Sequence, residues 1–308
     1  MDFLANFELT SVSGRIAQLA VANPLFPLDE LPGTWKGTGF NQIWRPFHGT
    51  QDRFLELNET LEVLQFDAIP GDIPNRGLLQ SDINLHGLRY LQQIQDKNVH
   101  LPNGQPSGIH VEPGLWLTVP ATSNPQDPAT IARLASIPHG TTLVAQGTTL
   151  ADFEGPPSFA PVSITPFVIG QPQNTVTFPE TNLGVATAFR TAPADIPGVT
   201  QAIVNNPNLV LASGLTGKHV ISTRTLRIST VPANPPASGG GTANIAFLQG
   251  AAAGPNALDA RLDATFWIEK FTDAAGHPGT QLQYSQIVLL NFNGLSWPHV
   301  SVATLVKQ

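Results

Sequence analysis

The sequence predicts an all-β protein, a sandwich or barrel of antiparallel strands. Three observations carry this. Short runs rich in β-branched and aromatic residues recur along the chain, with turn residues between them at fairly regular spacing. The 308 residues include 27 Gly and 28 Pro, a density that interrupts long helices and suits many short strands. The last two runs alternate in side-chain character with a period of two, as strands with two distinct faces do.

Taken in order, residues 12–22 hold the one helical pattern. Ser13 is its cap, Ile16, Leu19 and Ala20 share a face, and Pro24 ends it. Residues 1–30 therefore read as a helix and lead-in, and 31–308 as a single β domain. Strands are expected near 34–44, 54–68, 78–95, 108–119, 131–138 and 141–152. They are expected again near 162–169, 184–190, 208–212, 218–230, 243–248, 260–272, 280–292 and 299–306. Residues 154–161, Glu-Gly-Pro-Pro-Ser-Phe-Ala-Pro, and 232–241, Pro-Ala-Asn-Pro-Pro-Ala-Ser-Gly-Gly-Gly, read as surface excursions, because the patterns on either side of them are alike.

In 282–292, Leu282, Tyr284, Val288, Leu290 and Phe292 fall on one face and Gln281, Gln283, Ser285 and Asn291 on the other. Ile287 and Leu289 depart from this pattern. In 299–307, Val300, Val302, Thr304 and Val306 share a face, and His299, Ser301, Ala303 and Leu305 share the opposite one. If His299 points inward, the small residues Ser301 and Ala303 follow it and leave room for a flat ligand. If it points outward, it is a solvated residue at a strand start.

Composition excludes several function classes. Charged residues make up 12% of the chain, and the net charge is −7. The Lys and Arg residues are scattered from Arg15 to Lys307 with no basic stripe, which argues against nucleic acid as a partner. No basic amphipathic helix suggests a membrane surface, and no apolar run reaches the ~18 residues of a transmembrane helix. Met1-Asp2-Phe3-Leu4 begins without a basic region or a long apolar run, so no secretory leader is expected. With no cysteine, disulfides, thiolate metal sites and cysteine nucleophiles are excluded. That absence fits a cytoplasmic location. No Gly-x-Ser-x-Gly elbow is present, Gly239-Gly240-Gly241 lacks the Lys-Ser/Thr of a phosphate loop, and Asp259, Asp263 and Glu269 form no recognisable acid–base pair.

Leu31-Pro32-Gly33-Thr34-Trp35-Lys36-Gly37 resembles the opening strand of nitrobindin-type haem proteins, part of the wider calycin and fatty-acid-binding barrel group. Three further stretches follow in the same order. Gly108-Ile109-His110-Val111-Glu112-Pro113-Gly114-Leu115-Trp116 resembles the family's central strand. Thr216-Gly217-Lys218-His219 through Arg227-Ile228-Ser229 resembles its long pre-terminal strand. Ala264-Thr265-Phe266-Trp267-Ile268-Glu269, 280–291 and Pro298-His299-Val300-Ser301-Val302 resemble its closing strands. The resemblance implies an up-and-down antiparallel barrel of calycin type with long insertions around 156–210 and 232–258. It further implies haem b in the interior, an iron ligand at His299, binding of nitric oxide, activity on peroxynitrite or peroxide, and a homodimer. The 156–210 insertion is the candidate dimer contact. Those same insertions depart from the family and could occupy the cavity.

Under this resemblance His299 is the candidate metal ligand, with Ser301 and Ala303 as the floor beside it. Trp35 is the plug of the barrel end, and Trp297 is placed to pack beside a ligand. His139, in a Pro-His-Gly turn, could reach over a pocket mouth as a hydrogen-bond donor or proton shuttle, though a structural turn histidine is the plainer reading. His110 and Glu112, two residues apart, share a strand face. They form a metal site only if a third ligand joins them, and otherwise a polar pair. Aromatic packing accounts for all five tryptophans without a ligand. The alternative function is a carrier of a fatty acid or small hydrophobic ligand, with Arg224, Arg227 or Arg261 and Tyr284 holding a carboxylate.

Overall fold

The computed structural model describes residues 23–48, 50–75, 82–123, 126–138, 141–231 and 260–308. The expected helix at 12–22, the strand at 243–248, the 232–258 insertion and His139 lie outside the described residues. Ten strands form the main sheet. They are β1 (Gly33–His48), β2 (Gln51–Ala68), β3 (Ile83–His100), β4 (Pro106–Val119), β5 (Thr130–Ile137), β6 (Thr141–Thr149), β7 (Lys218–Ser229), β8 (Arg261–Asp273), β9 (Pro278–Phe292) and β10 (Leu295–Lys307). Each pairs antiparallel with the next, and β10 pairs with β1, from Trp35 opposite Lys307 to Gln42 opposite Val300. The molecule is thus an all-β, closed, up-and-down barrel of ten strands, with a few short strands outside it.

Register assigns the faces. Starting from Ala303, the cross-strand partners are Gly39, Tyr284, Phe266 and Leu226 in turn. Paired residues share a face, so these positions point into the lumen with Leu305, Ser301 and His299. The lower lumen is filled by apolar side chains, among them Leu64, Phe66, Leu88, Trp116, Phe266, Ile268, Leu282 and Leu305. Trp35 closes that end. It is fully buried against Leu28 and Leu31, its Nε1–H donates to the Leu31 carbonyl at 2.7 Å, and the Lys307 ammonium lies over its ring.

The other barrel face has a second core. Phe40, Trp44, Leu55, Leu57, Trp267, Val300 and Val302 are buried there against Ile164, Ile196, Val204 and Leu211. The covering residues come from the long connection between β6 and β7. Two short helices, α1 (Gln201–Asn205) and α2 (Leu209–Ser213), lie in it, and Thr200 caps α1 through its side chain. Backbone bonds join Leu55 to Phe189 and Thr191, and the Trp44 Nε1–H donates to the Ile164 carbonyl at 2.9 Å. This cover explains why Gln281 and Gln283 are fully buried although they face away from the lumen. The Gln283 amide donates to the Leu211 carbonyl and to the Thr304 hydroxyl.

The expected strands map onto the ten barrel strands, with three differences in the connection. Residues 162–169 contribute only the two-residue strand Phe167–Val168. Residues 184–190 are irregular. Residues 208–212 form the N-cap and most of α2 instead of a strand, because a short apolar run carries too few residues to distinguish a helical from a strand period.

Candidate ligand-binding site in the barrel interior

A band of polar side chains crosses the lumen above the apolar half. Tyr284 on β9 donates to Glu62 Oε2 on β2 at 2.7 Å, and Thr60 donates to Glu62 Oε1 at 2.8 Å. The Gln92 amide donates to the Tyr284 hydroxyl at 3.2 Å. Beside them Arg133 on β5 donates to Glu112 Oε1 at 2.6 Å, to the Tyr90 hydroxyl at 2.9 Å and to Gln286 Oε1 at 2.8 Å. Tyr90 also donates to Glu112, and His110 Nε2 lies 3.2 Å from Glu112 Oε2. Glu62, Glu112 and Arg133 are all buried.

The two carboxyls diverge. Burial raises Glu62 above the usual carboxylate range, against its hydrogen bonds from Tyr284, Thr60 and Gln92. Burial also pushes Glu112 up, but the Arg133 guanidinium and the bonds from His110 and Tyr90 outweigh it and hold Glu112 at about 2. Glu112 is therefore an ionised acceptor, and His110 presents it with a protonated Nε2.

Above this band four further inward-facing residues are less completely covered. His299, Ser301, Gln286 and Val288 face inward and are only half-buried. Asn41 Oδ1 accepts from His299 Nε2 at 2.6 Å and from the Ser301 hydroxyl at 2.9 Å. Asn41 donates in turn to Asn58, which donates to the buried Asp96. Because a carboxamide oxygen only accepts, the bond to Asn41 places the imidazole proton on Nε2.

His299 and Ser301 therefore share the inward face and a common partner. Ala303 is on that face too, but under the polar band. A Cβ on Gly39 opposite it would lie 2.8 Å from both the Ala303 methyl and Glu62 Oε1. The small residues at 39 and 303 make room for the protein's own Glu62. Trp35 is at the far end, opposite Lys307 and so eight residues along β10 from His299, ~26 Å at strand rise. Trp297 is in the second core, stacked on Phe178 and Phe292 and tilted against Trp44. The structure thus brings together His299 and Ser301, and separates Ala303, Trp35 and Trp297 from them.

The arginines offered for a carboxylate ligand are engaged or outside. Arg224 is bonded to Asp152, Asp29 and the Pro27 carbonyl. Arg227 and Arg261 are exposed. Tyr284 is bonded to Glu62. Arg133, which sequence reasoning did not single out, faces the lumen at the level of the polar band. The signal was its place between Ile131 and Ala135 on an otherwise apolar face. Its partner Glu112 is found only once the register of β4 against β5 is known.

Scans of protein-family models, curated proteins and solved structures each find no match for this chain. Among the described residues, no three His, Asp or Glu side chains are grouped to hold a metal ion, and no helix is long and apolar enough to cross a membrane.

Proposed function

We propose that the upper lumen binds haem b, with His299 as the iron ligand. The observation that supports this is the inward, solvent-reached imidazole of His299, held through one nitrogen by Asn41 beside the small Ser301. A site with a single strong donor suits a metal that brings its other ligands with it, and a macrocyclic iron does so. The donor set fits on this count. The second nitrogen of a ligating imidazole is normally held by a hydrogen bond, and Asn41 is placed for that role.

Bound haem would supply binding of small diatomics such as nitric oxide and redox chemistry with peroxynitrite or peroxide. The chain's own residues do the rest. Asn41 and Ser301 orient the imidazole, and the bonded network of Glu62, Tyr284, Arg133 and Glu112 forms a rigid floor. Trp35 keeps water out of the lower end. A haem titration followed by visible absorption tests the reading. Wild type should give a sharp Soret band at one equivalent, and His299→Ala should lose or shift it. Equal, featureless spectra from both proteins would overturn it and leave a barrel for metal-free apolar ligands.

A further inference from the structure

Glu269, Gln281 and Gln283 are fully buried on the outer face of the sheet, where α2 ends. Glu269 on β8 lies opposite Gln281 on β9, and Gln283 is two residues further along the same face. The group holds α2 by its carbonyls. Gln283 Nε2 donates to the Leu211 carbonyl at 2.8 Å, and Lys218 Nζ donates to the Gly214 carbonyl at 2.9 Å and to Gln281 Oε1. The seat is close, since a Cβ on Gly214 would lie 2.4 Å from Thr304 Oγ1 and 2.7 Å from Gln283 Nε2. A helix of five residues does not persist in water by itself, so the order of α2 depends on this seat.

Acceptors exceed donors in the group. Glu269 Oε2 accepts from Gln281 Nε2, but Glu269 Oε1 and Gln283 Oε1 are both buried without a partner. Diagonal neighbours on one face of a sheet are within reach of each other when their side chains are long. A proton on Glu269 Oε1 turns that oxygen into a donor for Gln283 Oε1, and burial favours this protonated form. The charge that acts on Glu269 is Lys218 on β7. Thr223, opposite it on β7, is neutral, as are Gln281 and Gln283, and residues 206–217 hold no ionisable side chain. Lys270 and Glu154 sit in the adjoining row and point to the opposite face. Asp273, four residues along β8, is bonded to His277.

We propose that this group is a proton-operated latch: protonated Glu269 holds residues 209–214 on the barrel, and ionised Glu269 releases them. On ionisation the Oε1–H bond breaks, its electron pair stays on oxygen, and the proton passes to solvent. Gln283 Oε1 loses its donor, and the Lys218 ammonium turns from the Gly214 carbonyl to the new carboxylate. Both losses fall on the end of α2. Once released, the segment admits water to Glu269, which then ionises as an ordinary carboxylate. Protons therefore favour the latched form, and release grows as pH rises. The latch involves neither His299 nor a ligand in the lumen.

Hydrogen exchange of the whole chain at pH 6 and pH 8, corrected for the intrinsic pH dependence of amide exchange, tests it. A carboxyl ionising at about 7 when latched and at 4.5 when released gives about a tenfold fall in protection between these values. Wild type should show that fall in residues 209–217, with β9 and β10 unchanged. Glu269→Gln, which keeps a neutral side chain, should show equal protection at both. Lys218→Met, which loses the bond to Gly214, should show reduced protection of the same residues already at pH 6. An unchanged wild type, an equal fall in Glu269→Gln, wild-type protection in Lys218→Met at pH 6, or a fall shared equally by β9 and β10 would each overturn the proposal. None of these outcomes bears on the Soret titration.

Discussion

Glu269 shows how one side chain can set a pH dependence. It is fully buried beneath the β6–β7 connection, with one oxygen accepting from Gln281 and the other, Oε1, without a partner. Burial raises its pKa to about 7, against the bond from Gln281 and the charge of Lys218. The folded protein therefore keeps a proton that the unfolded chain releases near 4.5. The stability this contributes is complete below pH 4.5 and is lost as pH rises through 7. The loss is about 3 kcal/mol at most. Urea midpoints at pH 5 and pH 8 should show the fall in wild type, and Glu269→Gln should flatten it. The sequence offered Glu269 only as one acid among many. Its burial depends on Gln281 and on a cover drawn from residues far away in the chain. His299 was more legible, because strand alternation alone placed it with Ser301. Trp297 has the same parity but packs in the second core with Trp44, Phe178 and Phe292, an aromatic cluster that no local pattern announced.

Among the elements, β6 and β7 form the narrowest seam in the barrel. Their register runs only from Gln146 opposite Ser229 to Thr149 opposite Leu226. Gly147 sits within it, and a Cβ there would lie 1.8 Å from the Arg227 carbonyl oxygen. Gly147→Ala should therefore cost at least ~3 kcal/mol. Hydrogen exchange would report it as loss of protection concentrated in β6 and the upper part of β7. The barrel strands were readable from sequence because each repeats a two-residue pattern over many positions. The connection between β6 and β7 was read as strand where it holds α2, since packing on the barrel decides its local structure. Seam width was not readable at all, because it belongs to pairs of strands.

At the scale of the whole sheet, the described residues pack a lumenal core and, outside it, a large core beneath the β6–β7 connection and a smaller cluster of Leu85, Leu117, Val119 and Ala132. Replacing residues 156–210 by a short linker should leave the lumenal core intact and expose Phe40, Trp44, Leu55, Leu57, Val300 and Val302. An apolar patch of this kind promotes association. The variant should accordingly retain a β-type far-ultraviolet spectrum but elute as oligomers in size-exclusion chromatography. A monomeric, fully soluble variant would show that the cover is dispensable. Closure of the barrel was an expectation from resemblance, and alternation alone left sandwich and barrel equally open. What distinguishes them is the pairing of β1 with β10, a contact between the two ends of the described chain.

That pairing also constrains how the protein is made. The strand that completes β1 is the last of the ten to leave the ribosome, so throughout synthesis β1 offers one edge to any other strand within reach. Contacts of such long sequence separation form slowly, since the intervening chain must first be ordered. The nascent protein is thus most exposed to mispairing just before its final strand emerges. A circular permutant in which residues 295–307 precede Gly33 would make the closing seam a local hairpin. The β9–β10 pairing would then become the contact between first and last strands in its place, so the permutant should refold no faster than the natural order, with the same lumen at the end.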